Sequence, residues 1–376
     1  MKRVKLIYKQ LTSFLNLKVQ NKKEVLDWYD DLSNTSSETT PTLEKMQNAV
    51  KTRLMHSIRK DRARRLRHTI VRWSAAAVAT FVLGYFGFSY FNKEILVTTA
   101  ELAQIMPGQG KATIVLENGQ QIDLDQLEMH KSIQIGESLI IKDAQGEIRY
   151  QDAKNGSEKV QYNSLQIPKG GMYQLTLKDG TRVTLNSDSK LTYPSSFGAG
   201  DRVVKLEGEA YFEVHKTTNK SRFIVESRQQ RVQVLGTKFN IKSYLDQQQV
   251  ETTLAEGSVL VHNALDKGKQ VLLKPDEQAV VKGGTIKVKS VNVESILSWT
   301  QGQFYFDGAN TEAVLAEIAR WYDINIQYEP SGQIDLYKGK IPRNLPLDRL
   351  IELLNYAELK TKALIGKDKR ISLIIN

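Results

Sequence analysis

The segment Trp73 to Phe91 constrains this chain more than any other feature. Its nineteen residues, WSAAAVATFVLGYFGFSYF, include no Asp, Glu, Lys, Arg or His. At about 1.5 Å rise per residue a helix of that length reaches roughly 28 Å, close to the hydrocarbon thickness of a bilayer. Directly upstream stand Arg59, Lys60, Arg62, Arg64, Arg65, Arg67 and Arg72, with Asp61 the single acid among them. On the other side the first charges, Lys93 and Glu94, cancel. Basic residues resist translocation, so the pattern predicts one transmembrane helix over 73–91, with residues 1–72 in the cytoplasm and the remainder outside. A signal peptide would begin near residue 1 with a shorter apolar run, and a buried globular helix would show a polar side. Trp73 and Tyr90 suit the two interfaces. Ala76, Thr80 and Gly84 make a small-residue stripe where another helix could pack closely, although ordinary Ala and Gly content accounts for the same stripe.

Charge divides the chain at the same place. Residues 1–72 hold 17 Lys and Arg against 7 Asp and Glu, a net charge of +10 that leaves only +1 of the total +11 for the rest. The basic character therefore describes a short arm, and the larger part calls for no polyanionic partner. There are no cysteines, which excludes a disulfide framework, a thiolate metal site and a Cys nucleophile. The five histidines never pair at metal-ligand spacing. The reading implies no cofactor and no metal.

The arm reads as short amphipathic helices. Val4, Ile7, Leu11, Phe14 and Leu15 recur at helical spacing, as do Val25, Trp28, Tyr29 and Leu32. A third stripe carries Leu43, Met46, Val50, Leu54 and Ile58 into the basic cluster. So small a unit buries little by itself, so the stripes suit the groove of a cytoplasmic partner; a small self-contained bundle is the competing account. Binding DNA needs only Lys and Arg near phosphates, but the arm has no helix-turn-helix spacing and membrane orientation explains its charge, so no direct nucleic-acid contact is expected.

Beyond Phe91 the pattern becomes alternation with frequent turns. Ile105–Leu124 and Gln166–Leu185 resemble each other at an offset of 61, matching Pro107 with Pro168, Gly110 with Gly171, Gly119 with Gly180 and Leu124 with Leu185. Each holds an Asn-Gly or Asp-Gly turn between alternating apolar runs, a strong hairpin signal. The repeat predicts an all-β domain over 92–298, solenoid-like or a sandwich. Gly108-Gln109-Gly110-Lys111 lacks the spacing of a phosphate loop and reads as a turn. Over 299–376 the reading is two strand–helix–strand units, with helices Thr311–Tyr322 and Leu347–Tyr356, a small βαβ-βαβ module of α+β class. The fold class is thus mixed: helical arm, membrane helix, β domain and α+β module.

Glu207, Glu209 and Glu213 in KLEGEAYFEV are the best enzymatic candidates. Glu207 and Glu209 on one strand face would stand roughly 6.6 Å apart, within reach of a glycosidase pair. The same residues also fit the wet face of a strand whose buried face carries Ala210, Phe212 and Val214. With no Gly-x-Ser-x-Gly elbow, His-Glu-x-x-His motif or dinucleotide fingerprint, the chain does not read as an enzyme. A membrane-anchored periplasmic glycan-binding or glycan-cleaving β-protein is the alternative reading.

The runs LTLKDGTRVTLNSDSKLTYPSSF (Leu175–Phe197), VVKLEGEAYFEV (Val203–Val214), VLGTKFNIKSY (Val234–Tyr244), TLAEGSVLV (Thr253–Val261) and LKPDEQAVV (Leu273–Val281) resemble, in order and spacing, the outer domain of FecR-family transmembrane anti-sigma factors. WTQGQFYF (Trp299–Phe306), IARWYDINI (Ile318–Ile326) and GKIPRNLPLDRLIELL (Gly339–Leu354) are similar to the C-terminal, STN-like signalling module of Bacteroidetes members. Thr311 stands where that module usually has Leu. The resemblance implies an inner-membrane, single-pass regulator whose arm holds an extracytoplasmic-function (ECF) sigma factor. It also implies a periplasmic part that receives a signal from the signalling domain of a TonB-dependent outer-membrane transporter. Release would follow cleavage by periplasmic and intramembrane proteases. Within the arm, Leu26-Asp27-Trp28-Tyr29 carries the likeness; Leu26, Trp28 and Tyr29 from that run, with Leu54 and Ile58 from the third apolar stripe, are the partner-binding candidates.

Overall fold

The computed structural model describes residues 78–88 and 95–375, apart from 129–131, 136–137, 144–146, 153–159, 267, 329–334 and 366–370, together with Thr52, Met55 and Trp73. The chain divides into two compact units, Met1–Lys93 and Glu94–Asn376.

In the first unit, residues 78–88 are helical. Val78, Phe81, Val82, Leu83, Tyr85, Phe86 and Phe88 are all exposed, Phe81 by 76%, so apolar side chains point outward on every side. Gly84 has open space beside it, and Thr80 lies on the same exposed helix. Among the described residues no helix is long and apolar enough to cross a membrane. Ala76 and the partner-binding candidates Leu26, Trp28, Tyr29, Leu54 and Ile58 lie outside the described residues.

The second unit is mostly β-sheet. Eighteen strands form one hydrogen-bonded sheet that curls over on itself, as the turn-rich alternation predicts. The two repeated hairpins are present and alike. Thr113–Val115 pairs with Gln121–Asp123 and Tyr173–Thr176 with Arg182–Leu185. In each, the turn glycine's amide donates to the carbonyl three residues back, Gly119 to Leu116 and Gly180 to Leu177, both at 2.9 Å. The first hairpin also pairs with the strand that leads into the second copy, Thr113–Val115 running antiparallel to Ser164–Gln166.

The twelve-residue strand Arg202–Glu213 belongs to both halves of this sheet. Lys205–Glu207 pairs with Lys190–Thr192 in one half, while Gly208–Glu213 pairs with Lys238–Ser243 in the other. The change occurs at Gly208, whose φ is +95°, a conformation that a β-carbon disfavours. A Cβ there would also approach Ser189 Cα to 2.6 Å and the Asp188 carbonyl oxygen to 2.7 Å. The two halves enclose a single core. Ile114, Leu165, Leu191, Phe223, Val232 and Val261 line one side, and Leu175, Val183, Phe212, Phe239, Leu254 and Ala279 the other. Phe212 and Phe239 stack with centroids 5.1 Å apart, an aromatic pairing that adds to the area they bury.

One charged side chain enters this core. Arg202 is buried, donates to Asp179 at 2.5 Å and to the carbonyls of His215 and Ser221, each at 3.0 Å, and lies over the Phe223 ring. Asp179 is the acid of the second hairpin's Asp-Gly turn, so a sequence-local turn is fixed by a distant strand.

Near the C-terminus the helices Thr311–Tyr322 and Leu347–Tyr356 form where the apolar spacing places them. The buried Thr311 opens the first helix directly after the Asn310 cap, whose side chain accepts from the Ala313 amide at 2.9 Å. The strands are distributed differently from two βαβ crossovers. Gln303–Asn310 pairs antiparallel with Leu336–Pro342 as a separate two-stranded sheet. Asn325–Tyr328, Thr361–Ile365 and Ile371–Ile375 form another sheet, completed at its edge by Ile95–Leu96. Each helix therefore joins strands of different sheets. Strand pairing is a long-range choice that periodicity does not encode. The module has its own core around Phe304, Leu315, Ile318, Trp321, Leu347 and Leu350.

Gly208 is expected to be the least replaceable glycine of the large sheet. Gly208→Ala should lower the unfolding free energy by about 2–4 kcal/mol through strain and overlap combined. Urea unfolding of the wild type and the variant would measure it.

Candidate functional site: a buried polar junction

Where the curled sheet meets the C-terminal module, the contact is polar and charged. Glu209, directly after Gly208 in the same strand, lies on the face away from the sheet's core, yet only 5% of it is exposed because the C-terminal module covers it. Its carboxylate accepts from Asn186 Nδ2 at 2.8 Å and from Asn240 Nδ2 at 3.0 Å. Asn186 Oδ1 in turn accepts from the Arg343 guanidinium at 3.1 Å and from the Ser187 amide at 2.9 Å. Arg343 is 3% exposed and follows the strand Leu336–Pro342, so it comes from the module. A carboxylate of the sheet and a cation of the module thus meet through a shared amide.

Aromatic side chains set the geometry. Arg343 lies over Phe304 and Trp321, with its guanidinium carbon 4.6 and 5.0 Å from the ring centroids. The Trp321 indole N–H donates to the Arg343 carbonyl at 2.8 Å. Arg320, one residue earlier on the same helix, stacks on Tyr244 of the sheet at 4.0 Å and pairs with Asp246. The Tyr244 hydroxyl donates to the Ser187 carbonyl at 2.9 Å. Guanidinium groups suit such sites because they stack flat on rings while donating in their plane.

Glu317 completes the set, 3.4 Å from Lys242 Nζ and 3.9 Å from Arg343. Burial pulls the Arg343 guanidinium below its ordinary pKa, against the opposing pull of Glu317 and Glu209; it remains a cation at neutral pH. For Lys242 burial also works against the charge, but Glu317, Glu209 and Glu251 outweigh it and raise the ammonium's pKa. The charges at the junction therefore hold one another in place.

This arrangement binds surfaces together and has no room for a substrate. The space between Asn186, Glu209, Tyr244, Arg320, Trp321 and Arg343 is about 10 Å³, roughly one water molecule. Among the described residues no group of three or more His, Asp or Glu is placed to hold a metal ion. The three glutamates separate accordingly. Glu207 is exposed, Glu213 pairs with Arg182 at 2.8 Å on the surface, and Glu209 is sealed in the junction. Glu209 keeps the outward side of the strand that its alternation gives it, since residues 206, 208, 210 and 212 stay buried on the other side, but the C-terminal module covers it there. Ala210, Phe212 and Val214 are buried as expected.

Two family matches coincide with the two sides of this junction. Residues 163–260 match the FecR protein family, and residues 303–371 match its C-terminal domain, FecR C-terminal. These two stretches are a FecR domain and a FecR C-terminal domain. Asn186, Glu209 and Tyr244 fall in the FecR domain; Glu317, Arg320 and Arg343 fall in the FecR C-terminal domain. Two crystal structures of candidate anti-sigma factors from Parabacteroides distasonis ATCC 8503 are similar to this chain. The first aligns at 29% identity with a TM-score of 0.50 over 57% of this chain and 99% of its own. The second gives the same identity and score over 56% and 97%. None of the curated proteins matches the chain.

Sequence reasoning did not find Arg320 or Arg343. Their signal is weak: one arginine directly before the Trp321-Tyr322 pair, another directly after a proline. Single removal of a buried charge strands its partners, so Arg343→Met should cost about 3–5 kcal/mol. Arg222→Met, which removes an exposed pair with Asp201, should leave the unfolding midpoint close to that of the wild type. Chemical denaturation of the two variants checks the contrast.

Proposed function

We propose that this chain is a single-pass inner-membrane anti-sigma regulator with its N-terminus in the cytoplasm and its FecR domains in the periplasm. The arm of residues 1–72 sequesters an ECF sigma factor through its apolar stripes. The periplasmic part receives a signal from a TonB-dependent outer-membrane transducer, and regulated proteolysis releases the sigma factor. The protein works by binding, and carries out no chemistry of its own.

The observation that carries this reading is the succession of features along the chain. A basic arm precedes a helix whose apolar side chains point outward on all sides, and the two FecR domains follow. Outward apolar side chains are stable where the surroundings are apolar too. The likeness to the Parabacteroides structures supports the anti-sigma role. The glycan-cleaving alternative loses its best residue, because the Glu209 carboxylate is enclosed by two amides with no space for a sugar.

Affinity capture of the full-length chain from detergent-solubilised cells, read by mass spectrometry, should recover a sigma factor. Capture should fall at least about tenfold when Trp28 and Tyr29 are both changed to Asp, since charge on the apolar stripe opposes docking. Recovery of no sigma factor would overturn the reading. Reporter fusions at Lys60 and Gly200 should report opposite sides of the membrane.

A further inference from the structure

Residues 95–111 precede the curled sheet in sequence, yet most of them are built into the C-terminal module. Ile95 and Leu96 pair antiparallel with Ile365 and Leu364, and the Val97 amide donates to the Ala363 carbonyl at 3.1 Å. Thr98 and Glu101 then cap a short helix reciprocally: the Thr98 amide donates to Glu101 at 2.8 Å, and the Glu101 amide to Thr98 Oγ1 at 3.3 Å. Leu102 is buried in the module core, and the Ile105 carbonyl accepts from the Leu347 amide at 3.2 Å. Gly108 passes so close to Trp321 that a Cβ would lie 2.8 Å from the ring. The Gln109 amide finally donates to the Gly170 carbonyl at 2.8 Å, at the turn beside the polar junction.

We infer that residues 95–111 form a strap, held down by the C-terminal module, that controls how much free chain separates the apolar helix from the FecR domains. The strap is anchored on the module's edge strand, its second helix and Trp321, so it stays seated while the module is intact and docked. Unseating the module frees about 17 residues, an extended reach of roughly 56 Å. The covering pairing is short, two residues against the five of Thr361–Ile365, so it cannot hold the strap once the module's other contacts are lost. A ligand or partner that displaces the module would therefore lengthen the tether next to the apolar helix without unfolding the curled sheet. The signalling consequence rests on the anti-sigma reading; the seating of the strap does not.

The absence of cysteine makes this directly testable in the full-length protein in detergent micelles. The Val97–Ala363 hydrogen bond makes Leu96 and Leu364 the closer, non-hydrogen-bonded pair, with Cα atoms about 4.5 Å apart, inside the range a disulfide spans. Mild oxidation of Leu96→Cys/Leu364→Cys should join the two in most molecules. In the cysteine-free chain, hydrogen exchange of residues 95–111 should be slow. It should quicken at least about tenfold in Leu350→Ala, which opens a cavity in the module, and stay within about twofold in Val232→Ala, which does so in the curled sheet. If Leu350→Ala does not fold, Ile351→Val in the same helix supplies the comparison. Unpaired thiols, exchange of the strap at the rate of free peptide, or equal response to both cavities would each overturn the inference. Failure to capture a sigma factor would leave these readouts unchanged, so the two claims fail separately.

Discussion

A single strand serving two halves of one sheet imposes the geometry on which the other features rest. Arg202–Glu213 must leave one set of neighbours and join another within twelve residues, and Gly208 is where its backbone makes the change. The bend closes the core between the two halves, so apolar residues on both sides bury against each other. The strand's alternation runs on through the bend, so Glu209 faces away from that core, toward the C-terminal module that covers it. A lone carboxylate in that position would carry a large desolvation penalty. Asn186 and Asn240 satisfy it, and Arg343 answers it from the module.

The junction shows why two domains of one chain would be held by charge. An apolar contact is tolerant of sliding, whereas hydrogen-bonded charges match in one register and leave costly stranded groups elsewhere. The Nε atoms of Arg320 and Arg343 have no hydrogen-bond partner and lie where the guanidinium planes meet aromatic rings. Stacking supplies attraction there without closing every hydrogen bond. The contact is therefore specific in register without every donor being satisfied.

Much of this architecture was legible in the sequence. Hairpins at Asn118-Gly119 and Asp179-Gly180 depend on local turn chemistry, and both appear with the same hydrogen bonds. The helices Thr311–Tyr322 and Leu347–Tyr356 follow from apolar periodicity and fall on their expected residues. Most of the family runs also held: the FecR matches cover those between Leu175 and Leu260 and between Gln303 and Leu354, while Leu273–Val281 falls outside both. The candidate site was not legible. Its members lie at 186, 209, 244, 320 and 343, and no spacing rule connects an asparagine on one strand to an arginine beyond a distant helix.

The sequence by itself determined the periodic elements, the turns, the uncharged segment 73–91 and the concentration of positive charge before it, because each is a property of near neighbours along the chain. Only the tertiary structure decided that Glu209 would be buried, that Arg202 would sit inside a core, and that Ile95–Leu96 would close the edge of a sheet formed by the last strands. Those outcomes depend on which distant strands pair and on where a backbone bends. They are settled by the energy of the assembled interior, and no local pattern records it.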